Sequence, residues 1–185
     1  MRVISGTARG KRLETLPGEE ITRPTAERVK EGMFSAVQFT LPGAMVLDLF
    51  AGSGQLGIEA LSRGAKLCVF VDQNRNASEM VARNLKACGL YTASRVLTTT
   101  AEGYLAGTRD RFNLVFVDPP YRQGLAAQML PAVDKVCADG ADVFCETERE
   151  AVMPEVCGGL QLVKTYRYGA VLVHRYRKQA GGEEC

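Results

Sequence analysis

Short, almost wholly apolar runs alternate along this chain with longer amphipathic segments. Met45 to Phe50, Leu67 to Val71 and the stretch ending in Leu114 to Val117 read as buried strands. Val29, Met33 and Val37 recur every four residues with Phe34 alongside, which predicts a helix from Ala26 to Phe39 with Thr25 as its N-cap. A helix follows the first strand as far as Arg63 and stops at Gly64, and another spans Asn74 to Ala87. Arg95 to Leu97 gives a third strand, a short helix reaches Leu105, and a longer helix runs from Gly124 to Val136. Asp142 to Glu146 is a fifth strand. Leu160 to Tyr166 and Ala170 to Tyr176, joined near Tyr168-Gly169, read as an antiparallel pair closing the sheet. Strand–helix alternation of this kind predicts a Rossmann-like α/β fold with a mostly parallel sheet. Residues 1–20 alternate only weakly and predict a hairpin or extended arm, residues 21–178 form one domain, and the tail 179–185 is expected to be disordered.

Composition keeps the chain among ordinary globular proteins. Its 185 residues are 46% hydrophobic and 24% charged. No apolar run approaches the roughly 18 residues of a membrane helix and no signal-like segment follows Met1, so a cytoplasmic monomer is expected. Six cysteines without a C-x-x-C pair, and a single histidine, argue for reduced thiols and against a metal site. The net charge of +2 is unevenly spread. Arg2, Arg9, Lys11 and Arg12 stand without an acid in residues 1–12, and Lys164, Arg167, Arg175, Arg177 and Lys178 do so in residues 160–180. Meeting termini would make one basic patch suited to a polyanion; ordinary solvated charge is the plainer reading.

The chemistry gathers after the strands. Ala51-Gly52-Ser53-Gly54-Gln55-Leu56-Gly57 is a G-x-G-x-x-G loop between a strand and a helix, where backbone can approach a ligand closely. Asp72 ends the next strand 20 residues beyond Gly52, at the place of a ribose-binding acid. Asp48, four residues before Gly52, suits an ammonium and would repel a pyrophosphate, which favours S-adenosylmethionine over a dinucleotide. Phe50 and Ala51 complete that loop, and Thr100-Ala101 forms the loop after the third strand. Asp118-Pro119-Pro120-Tyr121 then offers a carboxylate, carbonyls on residues without N–H groups, and an aromatic face. That set suits a planar group bearing an amine; its plain reading is a strand ending in a proline turn. Arg23, before the first helix, suits either a ligand carboxylate or the surface.

Asp48-Leu49-Phe50-Ala51-Gly52-Ser53-Gly54, the segment Gly57 to Ala65, Arg23-Pro24-Thr25 with Arg28 and Glu31, Phe116 to Tyr121, and Tyr168-Gly169 together resemble the RsmD-type family. Those are bacterial methyltransferases of the guanine N2 amine in 16S ribosomal RNA. The resemblance implies a seven-stranded class I methyltransferase sheet with an antiparallel C-terminal strand, and S-adenosylmethionine as cofactor. It also implies an N-terminal hairpin that helps hold RNA, here through Arg9, Lys11 and Arg12, with the small ribosomal subunit as partner. Asp72 would bind the ribose, and Arg23 to Thr25 would lie near the methionine end. Thr99-Thr100-Ala101 departs from the Asp or Asn often found there to meet the adenine amine. Another amine is the nearest alternative: adenine N6 in a nucleic acid, or protein glutamine. An idle RNA-binding assembly factor or a nicotinamide dehydrogenase would come from other classes.

Overall fold

The computed structural model describes residues 1–15, 23–120 and 124–180, with backbone alone for residues 23–26. In chain order its elements are α1 (Arg23–Ala36), β1 (Met45–Leu49), α2 (Gln55–Ser62), β2 (Leu67–Asp72), α3 (Arg75–Cys88), β3 (Ser94–Thr98) and α4 (Ala101–Gly107). They continue with β4 (Phe112–Val117), α5 (Leu125–Val136), β5 (Cys137–Glu148), β6 (Val156–Cys157), β7 (Leu160–Tyr168) and β8 (Val171–Lys178). One sheet takes the order β3-β2-β1-β4-β5-β8-β7-β6. The first five strands in that order are mutually parallel, and β8 enters antiparallel beside β5. This is the Rossmann-like sheet expected from the sequence, with its seven long strands; β6 adds a two-residue pairing with β7 at the edge.

Period-two alternation puts the core on both faces. Val46, Phe70, Phe116, Phe144 and Val173 meet α1, α2 and α3 on one side. Leu47, Val69, Val115, Val143 and Tyr176 meet α4 and α5 on the other. Phe34 of α1 lies 5.6 Å from Phe116 between ring centroids, and Phe116 lies 6.1 Å from Phe144, so an aromatic column seats α1 across β4 and β5.

Element ends shift by a residue or two throughout, and three boundaries differ by more. α1 begins at Arg23, so Thr25 is inside the first turn rather than at its N-cap. Pro24 explains this: a residue without an N–H costs nothing where the helix has no acceptor to offer. α1 also ends at Ala36, and Val37 to Leu41 close as turns that still bury Val37 and Leu41 but leave Phe39 exposed. β5 starts at Cys137 rather than Asp142, because Phe112 already pairs with Cys137 before the register shifts to Leu114 and Asp142.

The described part of the arm, residues 1–15, is closed by Val3 N–H to the Lys11 carbonyl and Gly10 N–H to the Val3 carbonyl, both at 2.9 Å. It is continuous with the main core, since Val3, Ala8 and Leu13 are buried among α1, α2 and α3. Glu59 of α2, with no exposed surface, accepts the Ile4 and Ser5 N–H groups at 2.8 and 3.0 Å and the Arg63 Nε at 2.8 Å. Lys30 Nζ lies 3.7 Å from Glu59 and donates to the Arg2 carbonyl. Ser62 adds its carbonyl for Thr7 N–H at 2.8 Å and its hydroxyl for Ala8 N–H at 2.9 Å.

A single basic patch from the two ends is not what the fold builds. Arg175 and Arg177 pair with Asp142 at 2.7 and 3.2 Å, and Lys178 pairs with Asp134 at 2.6 Å. Antiparallel pairing of β5 with β8 sets Asp142 opposite Arg177, and α5 brings Asp134 to Lys178, so Arg175, Arg177 and Lys178 are all paired with acids. Among the described residues no helix is long and apolar enough to cross a membrane, and Cys68, Cys88, Cys137, Cys145 and Cys157 are free thiols.

Candidate functional site

Strand order reverses between β1 and β4, and in such sheets the crevice beyond the carboxyl ends of the strands receives ligands. The glycine loop lies there. Phe50 is the one described non-glycine residue with positive φ, at 68°, followed by Gly52 at 53° and Gly54 at 77°. Left-handed backbone at Phe50 costs about 1–2 kcal/mol. The strain is held by Ala51 N–H to the Val71 carbonyl at 3.0 Å and Gly54 N–H to the Ala51 carbonyl at 2.7 Å. Gly57 serves packing: a Cβ there would come within 2.3 Å of the Phe70 ring, so only glycine lets α2 lie this close to β2.

Asp72 is fixed by two backbone donors, Gly52 N–H at 2.9 Å and Asn74 N–H at 2.8 Å, one on each carboxylate oxygen. Each oxygen keeps a further lone pair, which suits a vicinal diol. Asp72 also gives its carbonyl to Thr99 N–H at 3.1 Å, tying the third loop to the second. The Thr100 hydroxyl accepts Gly103 N–H at 3.1 Å as the N-cap of α4, so that lone pair is committed to the helix. Ala101 opens the helix, where backbone N–H groups have no intrahelical acceptor. Gln55 was not singled out from sequence. Its Oε1, at the start of α2, is buried without a hydrogen-bond partner among the described residues.

Asp48 sits beneath this loop, 2% exposed, and accepts Gly57 N–H at 2.8 Å. Burial pushes its carboxyl up to about 7, against the Gly57 donor, with the Asp72 charge adding to the rise. A group that binds its proton more tightly folded than unfolded loses stability as pH climbs from its unfolded value near 4 to its folded value, and no further above that. Asp48→Asn keeps an oxygen for Gly57 and removes the charge. Thermal melts should therefore show the variant more stable than the parent at pH 8, by about 4 kcal/mol at most, with the gap narrowing steadily as pH falls from about 7 toward about 4. A gap independent of pH would mean that Asp48 is not the buried carboxylate responsible.

On the other side of β1, Asp118 follows β4. Leu49 pairs with both Val71 and Val117, so Asp72 and Asp118 stand one residue beyond the same row. Asp118 is partly buried, Pro119 buried and Pro120 exposed. Beside the prolines a pocket of about 70 Å³ opens between the start of α5 and the end of β5, lined by Ala126, Glu146, Thr147 and Met153 among others. The chain's one histidine supports this wall from within: His174 is held by Thr147 Oγ1 at 3.0 Å and Thr165 Oγ1 at 3.1 Å, and burial lowers its pKa.

The fold thus brings Asp48, Phe50 to Gly54, Gly57, Asp72, Thr100, Ala101, Asp118, Pro119 and Pro120 to one edge. Tyr121 and the side chains of Arg23 and Thr25 lie outside the described residues. Arg9, Lys11 and Arg12 are exposed but are not at that edge. The hairpin tip meets Ser62 at the far end of α2, near where β1 and β2 start. Glu59, Ser62 and Asn84, which dock the arm, were not singled out from sequence.

A sequence model of a family described as "Conserved hypothetical protein 95" matches residues 1–177. "Ribosomal RNA small subunit methyltransferase D" of Escherichia coli is 35% identical over 185 residues, covering 99% of this chain and 92% of that protein. The chain belongs to this family, the RsmD-type methyltransferases. "Putative rRNA methyltransferase YlbH" of Bacillus subtilis is 38% identical over 184 residues, covering 97% of this chain and all of that one. Among solved structures, "Putative methyltransferase yhhF from Escherichia coli" superposes with a TM-score of 0.84 at 33% identity, covering 97% of this chain and 98% of the other. SMU.776, a putative methyltransferase complexed with SAH, shares the fold at 11% identity, with a TM-score of 0.70 over 84% of this chain and 50% of its own. The family membership read from the motifs holds over nearly the whole chain, and the RsmD-type sheet is the one this sequence builds.

Proposed function

We propose that this protein transfers a methyl group from S-adenosylmethionine to the exocyclic N2 amine of a guanine in small-subunit (16S) ribosomal RNA, in an assembled or assembling subunit in the cytoplasm. The observation that carries the reading is the pairing of two acceptor groups, the Asp118 carboxylate and the Pro119 carbonyl, with a glycine loop and a fixed Asp72 across one strand. The RNA substrate rests on relatives named ribosomal RNA methyltransferases, and the guanine amine rests on the resemblance carried by Asp118 to Tyr121.

The residues present fit the cofactor. Asp72 has lone pairs left for a ribose diol, Gln55 Oε1 lacks a donor among the described residues, and Asp48 lies beneath the loop where it favours a cation. Ala101 N–H and the Thr100 backbone remain for the adenine edge, and the family resemblance implies that the segment from Arg23 to Thr25 lies near the methionine end. When bound, S-adenosylmethionine supplies a methyl group already activated by its sulfonium. The protein's work is then positioning and electrostatics. A guanine amine is a weak nucleophile because its lone pair is delocalised into the ring. Asp118 and the Pro119 carbonyl accept its two N–H bonds, which favours a tetrahedral nitrogen and turns the lone pair toward the methyl carbon. Pro120 keeps the turn rigid, Tyr121 stacks on the base once it has left its own stack, and Asp118 or water takes the proton late.

Methyl transfer from radiolabelled S-adenosylmethionine to naked small-subunit RNA, assembled subunits and duplex DNA tests the reading. Label recovered as N2-methylguanosine from RNA or subunits supports it. Label on DNA alone would assign the chain to adenine enzymes. Arg9, Lys11 and Arg12 contact RNA phosphates away from the reacting base. Replacing all three with alanine should reduce the slope of log affinity against log salt by roughly 2 to 3. An unchanged slope removes the arm from the RNA interface.

A further inference from the structure

Asn84, on α3, is 2% exposed, and its carboxamide joins two parts of the chain that are otherwise far apart. Its Oδ1 accepts the Glu14 N–H at 2.9 Å, and its Nδ2 donates to the Glu14 carbonyl at 3.1 Å and to the Ser53 carbonyl at 3.0 Å. Glu14 is at the base of the arm, where its carboxylate also meets Arg83 Nε at 3.0 Å. Ser53 is 3% exposed and lies in the middle of the turn that Ala51 and Gly54 close. Both donor hydrogens of one planar amide are therefore used, one on the arm and one on the glycine loop. A planar amide cannot follow a shift of the Ser53 carbonyl without moving or weakening its paired bonds to Glu14.

We infer that Asn84 is a positioning residue that couples the glycine loop to the arm, so that a ligand ordering the loop also tightens the arm. By linkage, whatever tightens the arm strengthens ligand binding at the loop by the same factor. The inference rests on reading Phe50 to Gly57 as the cofactor loop. Glu59 and Ser62 hold the other end of the arm from α2, so among the described residues Asn84 is the direct hydrogen-bonded link between arm and loop. Aspartate at this position would keep an acceptor for Glu14 N–H, lose both donors and face two carbonyls with charge.

Amide hydrogen exchange on the full chain, with and without S-adenosylhomocysteine, tests this without RNA. In the parent protein the ligand should slow exchange at Glu14 and neighbouring arm amides by about tenfold, along with residues 50–57. In Asn84→Asp and Asn84→Ala, protection of residues 50–57 should persist, while the response of the arm falls below about twofold. A general structural role would instead raise exchange in the arm equally in both states and leave the ratio unchanged. An arm that responds equally in a folded variant overturns the coupling, as does a parent arm that ignores bound ligand. Failure of the ligand to bind the parent at all overturns the cofactor reading and the coupling with it.

Discussion

Asp118→Ala is expected to lower methyl transfer by about a thousandfold while leaving S-adenosylmethionine affinity near that of the parent. The carboxylate stands at the end of β4, across β1 from Asp72, and the glycine loop is braced by the Val71 carbonyl and by the Asp72 and Asp48 carboxylates. Removing it takes away an acceptor for the amine and the group best placed for its proton, and leaves the ribose and methionine contacts in place. Asp118→Asn, which keeps an oxygen but not the charge, should fall between. Single-turnover rates and equilibrium titration of the cofactor separate the two effects. Parallel loss of binding and rate would make Asp118 a structural residue and remove the amine-acceptor role from this edge.

Glu59→Ala should cost about 3–5 kcal/mol of stability, or a melting temperature lower by roughly 10 °C for a chain of this size. The carboxylate is wholly buried and serves four groups: two arm N–H groups, Arg63 and Lys30. Lys30 is itself 2% exposed, and burial lowers its pKa while the Glu59 charge opposes that. Without Glu59 the ammonium is left unpaired in the core and two backbone donors lose their acceptor. Glu59→Gln keeps the shape and one acceptor oxygen, and should recover part of the loss in a thermal melt. A variant with alanine that melts with the parent would show that the arm is held by its apolar contacts alone.

Much of the fold was legible because parallel strands covered on both faces leave near-continuous apolar runs, as at Leu67 to Val71 and Leu114 to Val117. The edge of the sheet was legible because its chemistry is local: glycines, Asp72 and the proline turn stand within a few residues of the strand ends they follow. Other parts depended on partners remote in sequence. Glu59 with Arg63 four residues on looks like an ordinary surface pair on a helix, and nothing nearby announces two backbone donors from the arm. The C-terminal cations looked like a free patch until strand register set Arg177 opposite Asp142. Asn84 sits in a helix whose neighbours give no hint of the two carbonyls it serves. Thr25 was misread for a local reason: both it and Pro24 suit a helix start, and the proline took precedence.

The arm's docking has a consequence for how the chain comes to be folded. Its hairpin bonds are local, but its anchors lie 54 to 70 residues later, at Glu59, Ser62 and Asn84. During synthesis the arm is made before α2 and α3, and its docking waits for both to follow it. Two of the N–H groups destined for Glu59 must meanwhile be satisfied by water, and Val3 and Leu13 stay exposed. The arm is therefore made well before its anchors, and it finds its place only after α3 is complete.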